Sequence, residues 1–121
     1  MYPRGEVILV DLGQRPGRVQ GSAPPPKSPF RPCVVVSDCA AVVADGYFEV
    51  YAVVPLTMGR ASNTLCPVVS TPTPKNPSSV SKALVPQVTT VDTVQIRSAV
   101  SRLSNSDMDA IELAMRRVLL L

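Results

Sequence analysis

Hydrophobic positions recur along this chain with two periods, about two residues for most of its length and close to 3.6 at its end. Residues 5–12 (GEVILVDL) alternate in part and are rich in β-branched side chains, which predicts a first strand. Residues 31–38 (RPCVVVSD) carry a short continuous apolar run, the pattern of a strand buried on both faces. In 47–56 (YFEVYAVVPL), Phe48, Val50 and Ala52 alternate with Tyr47, Glu49 and Tyr51, which predicts a half-buried strand after a turn at 44–46. Residues 64–69 (TLCPVV) predict another strand, confined to an edge or bulge by Pro67. A further strand, interrupted by Pro86, is predicted over 82–91, and the pattern of 93–101 supports a short helical turn.

The last segment changes period. Met108, Ile111, Met115, Val118 and Leu119 follow the spacing of one buried helical face, and Ser106 stands before them as an N-cap with Asp109 three residues on. Asp107, Asp109 and Glu112 fall early and Arg116 and Arg117 late, which suits the helix dipole. Short strands, long loops and one terminal helix predict a mainly β chain, a small barrel or compact sheet capped by that helix. No helical pattern lies between the strands, which excludes parallel βαβ units.

Two proline-rich stretches separate the strands. The first, 13–30, holds Pro16, Pro24, Pro25, Pro26 and Pro29, and its charges are Arg15, Arg18 and Lys27 with no acid. Prolines cannot donate to a strand ladder, so this is an exposed loop, and its length and charge point to function. The second covers 70–79.

Length sharpens this picture: 121 residues make one ordinary domain, 1–121. With 45% hydrophobic residues but only 4% aromatic and no Trp, the core must be built from aliphatic side chains. There is no His, which excludes His-based zinc sites, Ser-His-Asp and Cys-His nucleophile pairs, and two-histidine RNA cleavage. Catalysis, if present, runs on Arg, Lys, carboxylates, hydroxyls or Cys. Cys33, Cys39 and Cys66 are odd in number and lack C-x-x-C spacing, so reduced thiols are expected and neither a disulfide framework nor a thiolate metal site. The net charge of +3 leans mildly toward anionic partners. No apolar run approaches a membrane span and the N-terminus lacks a signal-peptide core, so a cytoplasmic protein without membrane contact is expected.

Four strings, RGEVILVDLG at 4–13, RPCVVVSD at 31–38, VVPLT at 53–57 and LVPQVTTVD at 84–92, stand in an order and spacing that resemble the MazF/PemK-type toxin endoribonucleases of bacterial toxin–antitoxin modules. The resemblance covers nearly the whole chain. It implies an SH3-like small barrel with a C-terminal α-helix, acting as a homodimer. It also implies cleavage of single-stranded RNA without metal or other cofactor, leaving a 2′,3′-cyclic phosphate and a 5′-hydroxyl. The catalytic Arg of the pattern falls on Arg31 and its Thr on Thr57, and Gln20 and Gln87 match its glutamines; these two, Ser37, and Arg18 and Lys27 of the basic loop are the expected RNA-contacting residues. Family members pair with an acidic, partly disordered MazE-like antitoxin, with which they bind DNA.

The chemistry agrees with the residue types. Attack of a 2′-hydroxyl on the adjacent phosphate builds charge on phosphate oxygens, which a forked guanidinium and a hydroxyl are suited to receive. On their own, Arg31 also reads as a loop arginine at a strand start and Thr57 as a strand-end hydroxyl bonded to its own backbone. The chain departs from the pattern in three places. Val19 stands where an acid is common, leaving a water or Arg31 as base. Pro86 and Thr89 replace an acid and a base, and SAPPPKSPF lengthens the first loop. A CcdB-like gyrase-binding toxin, or an SH3-like interaction module without catalysis, are the alternative readings. The chain end RRVLLL, without an aromatic, and the retained Arg31 and Thr57 favour the nuclease.

Overall fold

The computed structural model describes residues 1–59 and 63–121. Seven strands run through it: β1 (Glu6–Asp11), β2 (Phe30–Val35), β3 (Val50–Met58), β4 (Val68–Ser70), β5 (Val80–Ala83), β6 (Thr89–Asp92) and β7 (Ile96–Arg102). They form one curled antiparallel sheet in the order β4-β5-β3-β2-β1-β7, with β6 also paired to β3. Two helices complete the fold, α1 (Cys39–Ala44) and α2 (Asn105–Leu119). The result is the mainly β half-barrel with a C-terminal helix that the strand pattern predicts.

The strands divide their apolar side chains between two cores. Val7, Val34, Val54, Leu56, Val69, Ala83 and Val85 face α2 and receive Met108, Ile111 and Ala114. Ile8, Val10, Cys33, Val35, Tyr51, Val53 and Val91 face the other way and close around Leu12 and Cys39. Consecutive strand residues point to opposite faces, so Val34 and Cys33 belong to different cores. This is why the 33–36 run is apolar without alternation.

Several boundaries differ from the sequence expectation, each for a local reason. The helix starts two residues earlier: Ser104, not Ser106, is the N-cap, its hydroxyl accepting from the Asp107 N–H at 3.2 Å. Ser106 falls inside the first turn. The helix stops at Leu119, and Leu120 adopts a left-handed conformation whose N–H donates to the Arg116 carbonyl. Leu119 is exposed, and Ala114 takes its expected place on the buried face. A helix does lie between β2 and β3: α1, capped by the Asp38 carboxylate on Ala41 N–H. It spans a single connection between antiparallel strands, so the exclusion of parallel units stands.

The predicted 47–56 strand begins only at Val50, because Tyr47 and Phe48 form the exposed turn after α1. The 64–69 strand shrinks to Val68–Ser70 beyond Pro67. Segment 82–91 becomes β5, a one-turn 3-10 helix at Val85–Gln87 around Pro86, and β6, both strands lying along β3. The turn expected in 93–101 is confined to Thr93–Gln95, and the rest is β7, paired to β1 with two bulges. No helix among the described residues is long and apolar enough to cross a membrane.

Candidate active site

Arg31 enters β2 at its second residue, facing Val10 of β1. On the opposite edge β2 pairs with β3, Cys33 lying opposite Pro55. Pro32 and Pro55 have no N–H to give, which fits the end of the ladder there. Counting on two residues in that register brings Arg31 level with Thr57, both on the face shared by Cys33, Val35, Tyr51 and Val53. Thr57 in turn faces Lys82 of β5, and Lys82 faces Val68 of β4. Three neighbouring strands thus carry a guanidinium, a hydroxyl and an ammonium in one row.

These groups are left without partners. Arg31 is half-buried, and its Nε is shielded from solvent with no hydrogen-bond partner among the described residues. A buried donor left unsatisfied costs on the order of 1–3 kcal/mol, so its presence calls for an explanation such as a ligand that completes it. Several hydroxyls are engaged, Ser22 on the Asp11 carboxylate, Ser37 under the Ala52 N–H and Thr71 with Ser81. The Thr57 hydroxyl is in none of the side-chain hydrogen bonds among the described residues, while its backbone pairs with Lys82, so the self-capping reading of that hydroxyl finds no support.

The first part of the 13–30 loop, from Gly13 to Ser22, is closed on itself. Gly13 N–H donates to the Asp11 carboxylate at 2.9 Å and to Ser22 Oγ at 3.0 Å, while Ser22 N–H donates to the Gly13 carbonyl at 2.8 Å. The Ser22 hydroxyl and the Gly13 N–H together hold the Asp11 carboxyl below the usual carboxylate range. Gly21 passes so close that a Cβ there would lie 2.7 Å from the Gly13 carbonyl oxygen. Gln87 then ties the loop to the turn before β6. Its Oε1 accepts from Gln20 N–H at 2.6 Å and its Nε2 donates to the Arg18 carbonyl at 3.2 Å.

The residues expected to bind RNA therefore divide. Arg18 and Lys27 project from the loop, exposed. Gln20 and Gln87 are brought together, but Gln87 spends both ends of its amide on the loop backbone, and Gln20 Nε2 donates to the Gly21 carbonyl at 3.3 Å. Ser37 lies away from the others, six residues beyond Arg31 or about 20 Å of extended chain, in a cavity with Ala41, Val42 and Tyr47. Its hydroxyl accepts from Ala52 N–H at 3.0 Å. Val19 is exposed on the loop beside Arg18, so nothing acidic stands at that position.

Two further features bear on the chemistry. Burial pushes the Cys33 thiol up to about 12, against the opposing charge of Arg15, so no thiolate nucleophile forms there near neutrality. At the loop's end Arg97 of β7 lies 5.4 Å from the centroid of the Phe30 ring, a second cation beside the start of β2. The sequence reading missed Lys82 and Arg97. Lys82 looks like the first residue of an ordinary strand, and only the pairing of β5 with β3 sets it against Thr57.

Comparison with known proteins gives a consistent result. A family model described as PemK-like, MazF-like toxin of type II toxin–antitoxin systems matches residues 3–119. No curated protein matches the chain. Among solved structures, it is similar to MazF from Deinococcus radiodurans, with a TM-score of 0.71 at 16% identity, covering 99% of this chain and 97% of that one. A mycobacterial endoribonuclease in complex with its cognate antitoxin gives a TM-score of 0.70 at 17% identity, covering 100% and 97% of the two chains. The MazE–MazF complex from Deinococcus radiodurans gives 0.66 at 16% identity, covering 99% and 96%.

Proposed function

Because the chain belongs to the PemK-like, MazF-like toxin family of type II toxin–antitoxin systems, we propose that residues 1–121 act as one toxin domain, a metal-independent endoribonuclease of single-stranded RNA. The observation that carries this reading is the buried, unpartnered Arg31 Nε level with an unpartnered Thr57 hydroxyl.

The mechanism follows from those donors. The 2′-oxygen of one nucleotide attacks the adjacent phosphorus, its proton passes to water, and the bond from phosphorus to the 5′-oxygen breaks as that oxygen takes a proton from water. A 2′,3′-cyclic phosphate and a 5′-hydroxyl remain. Arg31 offers the forked N–H groups of its guanidinium to the phosphate oxygens as charge builds on them, and Thr57 adds one O–H. Preorganised donors of this kind are each worth about 3 kcal/mol in a transition state. Asp11 is a poor candidate base, since its carboxylate is held by Ser22 and Gly13. Water is the acceptor this site supports.

The same reading assigns the partners. Arg18 and Lys27 attract an RNA backbone and, in the resting complex, an acidic MazE-like antitoxin, with which the toxin binds DNA. Leu119, Leu120 and Leu121 leave an exposed apolar end on α2, which supports a homodimer. The protein acts in the cytoplasm, where RNA and antitoxin are found. Incubating the purified protein with a long unstructured RNA in excess chelator tests the proposal. Fragmentation is expected; intact RNA would refute the nuclease and favour a protein-binding toxin.

A further inference from the structure

We infer that Lys82 is a third phosphate-contacting residue of this site, holding the scissile phosphodiester on the side of Thr57 away from Arg31. This rests on the nuclease reading and deepens it. The pairing of β5 with β3 puts Lys82 directly opposite Thr57. Parity sets the face: Ala83 is buried toward α2 with Leu56, so Lys82 and Thr57 share the opposite face. Adjacent strands lie about 4.8 Å apart, so Lys82 and Arg31 flank Thr57 with roughly 10 Å between their backbones. Flexible side chains from both can reach one phosphate over Thr57.

The surroundings of Lys82 offer it no other task. Its cross-strand neighbours are Thr57 and Val68, neither of them acidic. The ion pairs among the described residues are Arg4–Glu112 and Arg116–Glu112, both on α2. Among the described residues its ammonium is in no hydrogen bond or ion pair, which leaves it open to an arriving anion. Lysine, as a compact point charge, suits a phosphate whose oxygens change geometry during reaction. The competing account is a lysine whose stem merely covers Val68 while its ammonium stays in water.

The two accounts separate on charge. Lys82→Met keeps the apolar stem, Lys82→Arg keeps the charge, and Lys75→Ala removes a charge from the exposed 70–79 loop as a control. Each is compared with wild type in two assays. One is single-turnover RNA cleavage; the other is binding of an all-2′-deoxy oligonucleotide, which cannot be cleaved, across a salt series. Lys82→Met is expected to lose about 100-fold in cleavage rate. It should also flatten the salt slope of binding by about one unit. Lys82→Arg restores most of both, and Lys75→Ala changes cleavage little.

Lys82→Met matching wild type in both assays, or shifting the salt slope no more than Lys75→Ala does, overturns the inference. Should wild type leave RNA intact, the nuclease reading fails by itself. The salt slope of Lys82→Met against the control then still decides whether Lys82 meets phosphate.

Discussion

The two ends of the β2–β3 strand pair differ in how their polar groups are satisfied. At one end Val34, Val35, Val53 and Val54 are fully buried, and the polar groups nearby are paired. Ala52 N–H reaches Ser37 Oγ at 3.0 Å, and Val36 N–H reaches the Ala52 carbonyl at 2.9 Å. At the other end the ladder stops at Cys33–Pro55, and beyond it Arg31 keeps a buried Nε without a partner, level with the Thr57 hydroxyl. The paired end contributes stability; the unpaired end holds donors in a fixed row at some cost to it. Among the described residues the one buried side-chain donor without a partner, Arg31 Nε, lies at this end, which is what singles it out as a candidate site.

Substitutions that act on one end and spare the other sharpen the contrast. The largest effect is expected for Arg31→Ala, which should lower the single-turnover cleavage rate by 10²–10³-fold or more while leaving the melting temperature within a few degrees. Arg31→Lys should recover little, because a point charge loses the forked geometry. Ile111→Ala, in the core between α2 and the sheet, should do the reverse. Denaturant titration should show a loss of about 2–5 kcal/mol, with cleavage per folded molecule unchanged.

Gly21→Ala should fall between the two. The new Cβ meets the Gly13 carbonyl, so the loop's anchor must shift, at about 1–3 kcal/mol and with weaker RNA binding measured by fluorescence anisotropy. Arg18→Ala with Lys27→Ala should weaken RNA binding several-fold and flatten its salt slope by about two units, leaving the rate on saturating RNA nearly intact. The smallest effect concerns acid. Asp11 has a carboxyl lowered in the fold by Ser22 and Gly13, so its contribution is full above the unfolded value near 3.9. It is lost as pH falls through the lower folded value. Asp11→Asn should flatten that acid limb of stability, read by thermal melts from pH 5 to 2.

What could be read in the sequence follows the same division. The strand cores and the helix face were legible because burial imposes a period on apolar residues, and the ordered strings around Arg31 and Thr57 named two residues that the register sets level on one face. Helix α1 was not, because CAAVVA is six residues long and too short to show a helical period. Strand β7 was missed because IRSAVSR presents mostly exposed positions, so no alternation survives. Gln87 read as a residue facing RNA, but its amide closes the first loop through contacts 67 and 69 residues distant in sequence. Lys82 was invisible for the same reason. Its place opposite Thr57 depends on which strand lies beside it, and strand register is not written in local composition.

The central claim is that the unpaired end of the strand pair cleaves RNA, and one measurement tests it most directly. A defined single-stranded RNA oligonucleotide is incubated in excess chelator with wild type and with Arg31→Ala shown to be folded by its melt, and the products are weighed by mass spectrometry. Wild type should yield fragments ending in a 2′,3′-cyclic phosphate and beginning with a 5′-hydroxyl, while Arg31→Ala leaves the oligonucleotide whole. Fragments bearing 5′-phosphates, or equal cleavage by the two proteins, would contradict the account.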